Sequence, residues 1–393
     1  MPKTQTRKEP LILADEVLSQ DGVSRIGIMT LNAEKTMNAV DLAMVNQIDE
    51  VLARWRADDG IVAVIMKGAG DRAFSAGGDI RQLYNSMVEE GDDHLTYADA
   101  FFTGEYSKNY RVHLFGKPLI AWGNGFVMGG GLGLYIGANH KVGTERLKLA
   151  WPEIRIGLFP DVTGTYHLSR LPFPIGHWMG LSGSQMNAVD CKQIGLIDYC
   201  LAHDDLEPLV GALCQQPWQK NKAMNNQFVR QLLERLEQQT EVEFPASQLD
   251  DCIDDITEIF NGLEIKEDAT LKQNKKDLQV IEQRLNAIES TNDWFNVGKE
   301  SFLSGCPATA HLIMRQIQLG RQMTLKEVVR WELGIALQSV RHPDFSEGVR
   351  ARVIEKDGQP KWQHSSVGQV PESWVEGLLQ SLWSEKEHPF NEL

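Results

Sequence analysis

Two acidic residues stand among apolar neighbours in residues 150–165, and a proline precedes each of them. Apolar surroundings deprive an ionised carboxylate of hydration, so Glu153 and Asp161 should be hydrogen-bonded, shifted in pKa, or both. Carboxyl groups with shifted pKa values concentrate at active sites, where they act as acids, bases or nucleophiles. The stretch alone leaves a second interpretation open, in which both acids are turn or helix-cap residues beside proline.

Two glycine turns, Ala76-Gly-Gly78 and Gly129-Gly-Gly131, follow apolar runs that have the composition of strands. A glycine carries no side chain, so each turn can bring backbone NH groups close to a ligand. Together they could form an oxyanion hole, which stabilises the negative oxygen of an enolate or of a tetrahedral thioester intermediate. Tight packing of helix against strand is the alternative explanation for either turn alone.

Other catalytic classes find less support in the sequence. The glycine run at residues 129–133 does not continue as GxGxxG, and no GK[ST] phosphate loop follows it. Residues 180–183 read Gly-Leu-Ser-Gly, which is not the GxSxG turn of serine hydrolases. Three histidines without paired spacing are interpreted as structural or surface residues: His140, His167 and His177. Among the classes considered, the sequence therefore favours an enzyme whose catalytic groups are carboxylates.

Length and composition limit the kind of protein. The 393 residues exceed what one hydrophobic core usually holds, so a large domain with an appended smaller one is expected. No run of about 18 apolar residues suggests a membrane span. The 39 basic and 54 acidic residues give a charge of 39 − 54 = −15, which argues against a general nucleic-acid surface. An anionic substrate would therefore need a local basic patch.

The cysteines and the N-terminus bear on the cellular compartment. Five scattered cysteines without a CxxC pair or metal-like histidine spacing predict reduced thiols: Cys191, Cys200, Cys214, Cys252 and Cys306. Residues 1–10 include three basic residues but lack the apolar core of a secretory signal. We expect a cytoplasmic protein, or one of the mitochondrial matrix if the source is eukaryotic.

The first half of the chain alternates between strand and helix patterns, and these elements must position the candidate residues. Residues 11–18 and 23–31 read as two strands joined by a hairpin turn at Gly22. Apolar residues at helical spacing from Asp41 to Trp55 precede a buried strand at residues 61–66. The alternation continues to about residue 205 and predicts an α/β core with mostly parallel strands.

Beyond residue 208 the pattern becomes helical. Apolar residues recur on one helical face in several segments, and Thr324 to Glu327 has the spacing of a capping box. One helix carries a row of acids that we interpret as a solvated face, because no glycine-punctuated calcium loop is present: Asp250, Asp251, Asp254 and Asp255.

Three motifs in this order resemble the crotonase, or enoyl-CoA hydratase/isomerase, superfamily: Phe74-Ser-Ala-Gly-Gly-Asp79, Asn124-Gly-Phe-Val-Met-Gly-Gly-Gly131 and Pro152-Glu-Ile-Arg-Ile-Gly157. The resemblance implies an α/β fold, a spiral of ββα units, followed by an extended helical C-terminal region. The expected parts are a core at 11–208 and a helical region at 209–393, with an acidic helical insertion at about 240–290. Acyl-CoA would be the substrate, its thioester oxygen held by the NH groups of Gly78 and Gly130.

Within the superfamily, the chain is most similar to the hydrolase branch that cleaves short branched β-hydroxyacyl-CoA thioesters. The likeness rests on residues 152–161, 342–350 and 360–362 and covers nearly the whole chain. Similar hydratases carry a second catalytic glutamate at the position of Gly133. In the hydrolases that glutamate is absent, an aspartate stands at the position of Asp161, and a glutamate matching Glu105 contacts the substrate.

One departure from the family pattern follows Asp161. A more glycine-rich turn is expected there, whereas Thr163 and Thr165 add bulk and hydroxyl groups. This difference bears on selectivity for the acyl group rather than on the class of reaction.

The resemblance implies hydrolysis chiefly of 3-hydroxyisobutyryl-CoA to 3-hydroxyisobutyrate and CoA, as in valine breakdown. Glu153 would attack the thioester or activate a water, two routes that the sequence does not separate. Asp161 would position the substrate hydroxyl or assist proton transfer, and Glu105 would orient the acyl group.

The expected partner is the acyl-CoA substrate, without metal, redox cofactor, nucleic acid or membrane. Crotonase-like cores can trimerise, so a homo-oligomer stays open. The alternatives are an enoyl-CoA hydratase/isomerase acting on another acyl-CoA, and a non-catalytic acyl-CoA-binding protein.

Overall fold

The described residues up to Cys200 form nine strands, which build two sheets. The computed structural model describes residues 10–89, 95–263 and 265–393. The strands are β1 (Ile12–Leu18), β2 (Arg25–Leu31), β3 (Ile61–Gly68), β4 (Ala73–Ser75), β5 (Leu119–Gly123), β6 (Phe126–Met128), β7 (His140–Gly143), β8 (Lys148–Ala150) and β9 (Tyr199–Cys200). Within the described residues, the larger sheet has the order β1-β2-β3-β5-β7-β9 and the smaller sheet the order β4-β6-β8.

Strand direction and order define a spiral. β1 and β2 form the predicted antiparallel hairpin, with Gly22 at φ +72° in its turn. The other pairings between these nine strands are parallel. Each of the pairs β3/β4, β5/β6 and β7/β8 sends its first strand to the larger sheet and its second to the smaller one. The predicted spiral of strand pairs with intervening helices is therefore confirmed, but the strand patterns alone had not separated the two sheets.

The helices are α1 (Leu42–Ala57), α2 (Ile80–Val88), α3 (Thr96–His113), α4 (Gly129–Ile136), α5 (Gly164–Leu168), α6 (Ile175–Ser182), α7 (Ala188–Gln193), α8 (Leu206–Leu213), α9 (Lys222–Gln239), α10 (Gln248–Phe260), α11 (Leu271–Ala287), α12 (Asp293–Leu303), α13 (Pro307–Gly320), α14 (Leu325–Ser339), α15 (Pro343–Val349) and α16 (Glu372–Leu379). Side chains cap several of them, and one of these caps is the capping box that the sequence predicts. Asp41 accepts the NH of Met44 at the start of α1, and Thr324 with Glu327 forms the capping box of α14.

The helical second half packs directly on the first half. One hydrophobic core runs from Ile12 to Phe390. Helix α14 contacts both α3 and α5, and α15 contacts the turn at Glu153–Ile156. A second cluster, on the other face of the larger sheet, joins Trp122 to Leu209 and Val229. The division at residue 208 stays a prediction, because the main core continues across it.

Some further predictions concern the surface and the thiols. Asp250, Asp251 and Asp254 of α10 are exposed and Asp255 is half-buried, in agreement with a solvated acidic face. The five cysteines are unpaired. None of the helices in the described ranges is both long and apolar enough to cross a membrane.

Candidate active site

Three candidate motifs follow the three strands of the smaller sheet. The first glycine turn comes after β4, the second opens helix α4 directly after β6, and Glu153 lies three residues beyond β8. These strands are parallel neighbours in the order β4-β6-β8, so their carboxyl ends meet at one edge of the sheet. Motifs that are far apart in the sequence therefore converge at one place.

The backbone around Gly78 directs its NH group away from the neighbouring chain segment. Val40 donates to the carbonyl of Gly77 and accepts from the NH of Asp79, at 2.9 and 2.8 Å. In such a parallel bridge the intervening residue, Gly78, presents its own NH on the opposite side. Gly77 has φ +113°, a conformation that a residue with a side chain rarely adopts.

Gly130 lies opposite Gly78. Gly130 is the second residue of α4, so its NH group is one of those at the helix start that have no acceptor within the helix. A Cβ atom on Gly130 would lie 3.3 Å from the backbone nitrogen of Gly78 and only 2.1 Å from Oε1 of Glu105. A side chain at this position would displace the carboxyl group of Glu105, and the short distance to Gly78 shows that the two glycine turns approach each other closely.

Glu153 begins a single helical turn, Glu153–Ile156, which ends at Gly157 with φ +75°. Its side chain is 3 % exposed, and its Oε2 atom has no hydrogen-bond partner among the residues that the structure describes. Burial, followed by the nearby charges of Asp161 and Glu105, raises the pKa of Glu153 well above the usual value.

Asp161 is held by a tyrosine from α3. The hydroxyl of Tyr106 donates to Oδ2 of Asp161 at 2.7 Å, and both groups are buried. Burial raises the pKa of Asp161 to about 7, and the hydrogen bond from Tyr106 opposes that increase because it favours the ionised carboxylate.

Glu105 belongs to the same helix as Tyr106 and faces the same interior. Burial raises the pKa of Glu105 to about 8, against the charge of Lys108 and in the same direction as the charge of Asp161. Lys108 is itself 1 % exposed, and burial lowers its pKa. Three acids and one lysine share this interior, so the carboxyl groups repel one another when they ionise.

The five predicted site residues line one cleft of about 340 Å³: Gly78, Glu105, Gly130, Glu153 and Asp161. Apolar side chains form much of the remaining wall, among them Ile80, Leu83, Phe101, Phe102 and Leu158. A mostly apolar cleft with a few convergent polar groups is the usual form of a small-molecule site. The structure brings these residues together, whereas their individual roles stay predictions. The histidines set aside above, His140, His167 and His177, do not line the cleft.

Gly133 stands at the position of the second glutamate in hydratases, and its neighbours leave no space there for a side chain. A Cβ atom there would lie 2.4 Å from Cβ of Val162 and 2.5 Å from Nδ2 of Asn109. Both distances are far below van der Waals contact, so the site has no room for a larger side chain at this position.

Glu332 of α14 is a residue that the sequence interpretation missed. It is fully buried and accepts the backbone NH of Thr163 at 2.7 Å and that of Thr165 at 2.9 Å. These bonds hold a turn in which Val162 and Thr163 have φ of 49° and 75°, the left-handed region. Burial raises the pKa of Glu332 to about 8 against these hydrogen bonds. A glutamate on the apolar stripe of an amphipathic helix was the available signal.

The two threonines of this turn face the helical region. Thr165 Oγ1 accepts a hydrogen bond from Nε2 of Gln316 at 2.8 Å, and neither Thr163 nor Thr165 lines the cleft. The two threonines that depart from the family pattern therefore do not contact the cleft directly.

A two-sheet spiral whose strand ends present two backbone NH groups and buried carboxyl groups defines the crotonase class of α/β proteins. Comparisons with known proteins agree with that class. Residues 26–379 match the family model described as enoyl-CoA hydratase/isomerase. The chain belongs to the enoyl-CoA hydratase/isomerase family.

Two curated relatives extend the comparison over most of the chain. The chain is 32 % identical to a mitochondrial 3-hydroxyisobutyryl-CoA hydrolase of Danio rerio, over 92 % of this chain and 88 % of that protein. It is also 32 % identical to the Homo sapiens protein of the same name, over 91 % and 87 % of the two chains.

Two solved structures share the fold across the full length. An enoyl-CoA hydratase from Rhodobacter sphaeroides matches with a TM-score of 0.77 and 29 % identity, covering 95 % of this chain and 98 % of that chain. A carnitinyl-CoA dehydratase from Mycobacterium thermoresistibile matches with a TM-score of 0.79 and 27 % identity, covering 98 % and 100 %. The helical second half is thus part of the shared architecture.

Proposed function

We propose that this protein hydrolyses a short branched β-hydroxyacyl-CoA thioester, chiefly 3-hydroxyisobutyryl-CoA, to the free hydroxy acid and CoA, as in valine breakdown. The observation that carries the proposal is the match to curated 3-hydroxyisobutyryl-CoA hydrolases over about nine tenths of the chain. The cleft supports it, because Glu105, Glu153 and Asp161 converge there while the hydratase position, Gly133, is closed.

The reaction begins with the thioester carbonyl between Gly78 and Gly130. Their NH groups donate to the carbonyl oxygen, which gains negative charge as the carbonyl carbon becomes tetrahedral. A preorganised donor of this kind typically contributes about 3 kcal/mol to lowering the barrier. The donors belong to the backbone of a packed turn and of a helix start, so they need no rearrangement during the reaction.

Glu153 supplies the attack by one of two routes. As a nucleophile, its carboxylate bonds to the carbonyl carbon, the C–S bond breaks, and water then hydrolyses the resulting anhydride. As a general base, it takes a proton from water, and the hydroxide formed adds to the same carbon before the C–S bond breaks. Both routes require ionised Glu153, and both deliver a carboxylic acid and a thiol.

Asp161 and Glu105 complete the site. Asp161, fixed by Tyr106, would position the substrate hydroxyl or return a proton to the departing thiolate. Glu105, next to Gly130, would orient the acyl group. The proposed chemistry uses proton transfer and charge stabilisation by these groups, so we propose no metal or redox cofactor, with CoA entering as part of the substrate. We place the protein in the cytoplasm, or in the mitochondrial matrix of a eukaryotic source.

Hydration of an enoyl-CoA is the second candidate, since one of the similar structures is an enoyl-CoA hydratase. The closed position at Gly133 disfavours it. A non-catalytic acyl-CoA-binding protein is a third candidate. Burying several carboxyl groups with raised pKa values costs stability, and binding alone gives no reason to retain them.

A parallel assay separates the candidates. The purified protein is offered 3-hydroxyisobutyryl-CoA and crotonyl-CoA, and thiol release and enoyl absorbance are followed. Thiol release from the first compound without hydration of the second supports the proposal. Hydration of crotonyl-CoA without thiol release from the first compound would replace it with a hydratase, and binding of both esters without turnover would replace it with a binding protein.

A further inference from the structure

Two arginines line the same cleft as the carboxyl groups. Arg155 lies in the turn Glu153–Ile156, two residues after Glu153, and Arg352 lies in the π-helical turn Arg350–Ile354. Both side chains are half-buried. One comes from the spiral core and the other from the helical region, so only the folded chain brings them to one wall.

Both guanidinium groups bind neutral partners. Arg155 donates from Nε to the hydroxyl of Ser301 at 2.8 Å, and Arg352 donates from Nη2 to the hydroxyl of Ser304 at 3.4 Å. Within the ranges that the structure describes, neither arginine forms an ion pair with a carboxylate, and the buried Nε of Arg352 has no acceptor.

Arg350 belongs to the same π-helical turn as Arg352 but forms several ion pairs. It pairs with three carboxylates, those of Glu347, Glu355 and Asp357. In a chain of net charge −15, acidic residues are plentiful, and yet no carboxylate of the described residues pairs with either of the two arginines that face the cleft.

The charges of the two cleft arginines act on each other. Burial, together with the positive charge of Arg352, lowers the pKa of Arg155. Two partly desolvated cations with no ion-pair partner among the described residues repel each other, so the arrangement costs free energy in the free protein. An anionic group that enters between them would remove the repulsion and accept hydrogen bonds from both planar guanidinium groups.

We propose that Arg155 and Arg352 form an anion-binding subsite of the cleft, which binds an anionic oxygen group of the acyl-CoA ester. The inference rests on the proposed function, because it takes the ligand to be an acyl-CoA. Such an ester offers two anionic groups with the same chemistry: a phosphate of the CoA part, or a carboxylate on an acyl part that carries one. The subsite is the local basic patch that an anionic substrate needs in an acidic chain.

Equilibrium binding tests the subsite independently of turnover. Titration calorimetry of CoA and of S-(3-carboxypropyl)pantetheine, a thioether that keeps a carboxylate but lacks phosphates and a cleavable thioester, is performed on the wild type, Arg155→Gln, Arg352→Gln and the control Arg56→Gln. Arg56 is an exposed residue of α1 outside the cleft. Circular dichroism identifies folded variants, and the equally uncharged Arg155→Met or Arg352→Met replaces a variant that fails to fold.

We expect the Kd of CoA to rise about tenfold or more in each cleft variant but not in Arg56→Gln, because a charge-assisted contact is lost. A rise for CoA assigns the subsite to phosphate, and a rise only for S-(3-carboxypropyl)pantetheine assigns it to an acyl carboxylate. Unchanged affinity for both ligands in the folded cleft variants would overturn the subsite. Failure of the wild type to release thiol from 3-hydroxyisobutyryl-CoA would overturn the proposed function alone, since CoA binding is measured without turnover.

Discussion

The carboxylate of Glu332 accepts the backbone NH of Thr163 at 2.7 Å, across 169 residues of sequence. This hydrogen bond joins helix α14 to the left-handed turn that directly follows Asp161. The helical second half therefore does more than cover the spiral core, because it determines the path of the chain beside a candidate catalytic carboxylate.

Removal of this acceptor should impair both stability and turnover. Glu332→Ala leaves the NH groups of Thr163 and Thr165 buried without an acceptor, which should lower the free energy of unfolding by about 2–4 kcal/mol. We expect kcat for 3-hydroxyisobutyryl-CoA to fall at least about tenfold as Asp161 loses its position, while the affinity for CoA changes little. Steady-state kinetics, calorimetry and thermal unfolding measure these effects. The matched control is Glu376→Ala on the exposed side of α16, and a kcat within twofold of wild type in a folded Glu332→Ala protein would contradict the positioning role.

Neutralisation of Glu153 should stop the chemistry without preventing binding. Glu153→Gln keeps the size of the side chain but removes the nucleophile or base, so thiol release should fall by about 10²–10⁴-fold. The Kd of CoA should stay within a fewfold of wild type. Retention of most of the rate by the folded variant would refute the assignment of Glu153.

The pH dependence of turnover should report the acidic cluster. The pKa of Asp161 is raised to about 7 and that of Glu153 is raised well above its usual value, so kcat/KM should rise with pH as these two acids ionise. Tyr106→Phe removes a hydrogen bond that favours ionisation, and the midpoint of the rise should move to higher pH. Profiles from pH 5.5 to 9.5 for the wild type, Tyr106→Phe and Tyr110→Phe test this, because Tyr110 lies in the same helix but is not the tyrosine that donates to Asp161. Equal midpoints in all three proteins would contradict the role of Tyr106.

The free energy of unfolding should fall as pH rises through the range in which Glu105 is ionised in the unfolded chain but still protonated in the folded protein. The pKa of Glu105 is raised to about 8 in the folded protein, whereas in the unfolded chain the same carboxyl group has a pKa near the ordinary value. Its stabilising contribution is therefore complete below that ordinary value and is lost as pH rises towards 8, at a rate of about 1.4 kcal/mol per pH unit for one such group. Glu105→Gln should flatten the dependence of the melting temperature on pH between 5 and 8, whereas Glu376→Gln should not. Parallel curves for wild type and Glu105→Gln would show that the group ionises normally in the folded state.

The closed position at Gly133 should resist conversion into a hydratase. Val162 and Asn109 leave no room for a Cβ atom, so Gly133→Ala should lower the free energy of unfolding by about 1–3 kcal/mol, and Gly133→Glu should gain no crotonyl-CoA hydration. Gly334→Ala, in a helix where a Cβ would meet no atom within 4 Å, is the control and should be neutral or slightly stabilising. A Gly133→Glu protein that hydrates crotonyl-CoA would show that the turn after Asp161 yields to a side chain.

The sequence by itself determined the features that depend on a few neighbouring residues. The hairpin at Gly22 and the helix starts at Asp41 and Thr324 follow from local turn and capping chemistry, and the structure confirms them. The three motifs of the cleft were also recognisable, because each occupies a short stretch after a strand. Strands of three residues, such as β4 and β6, were too short to be read as a second sheet.

Only the tertiary structure decided which distant groups meet. Tyr106 and Asp161 are 55 residues apart, Glu332 and Thr163 are 169 apart, and Arg155 reaches the same wall as Arg352 from the other half of the chain. A buried carboxyl group or an unpaired arginine leaves little trace in local periodicity, since one polar residue in an amphipathic helix or turn is compatible with many environments. Packing buries these groups and brings their charges together. The shifted pKa values, the turn that Glu332 holds and the proposed anion subsite therefore depend on the complete fold.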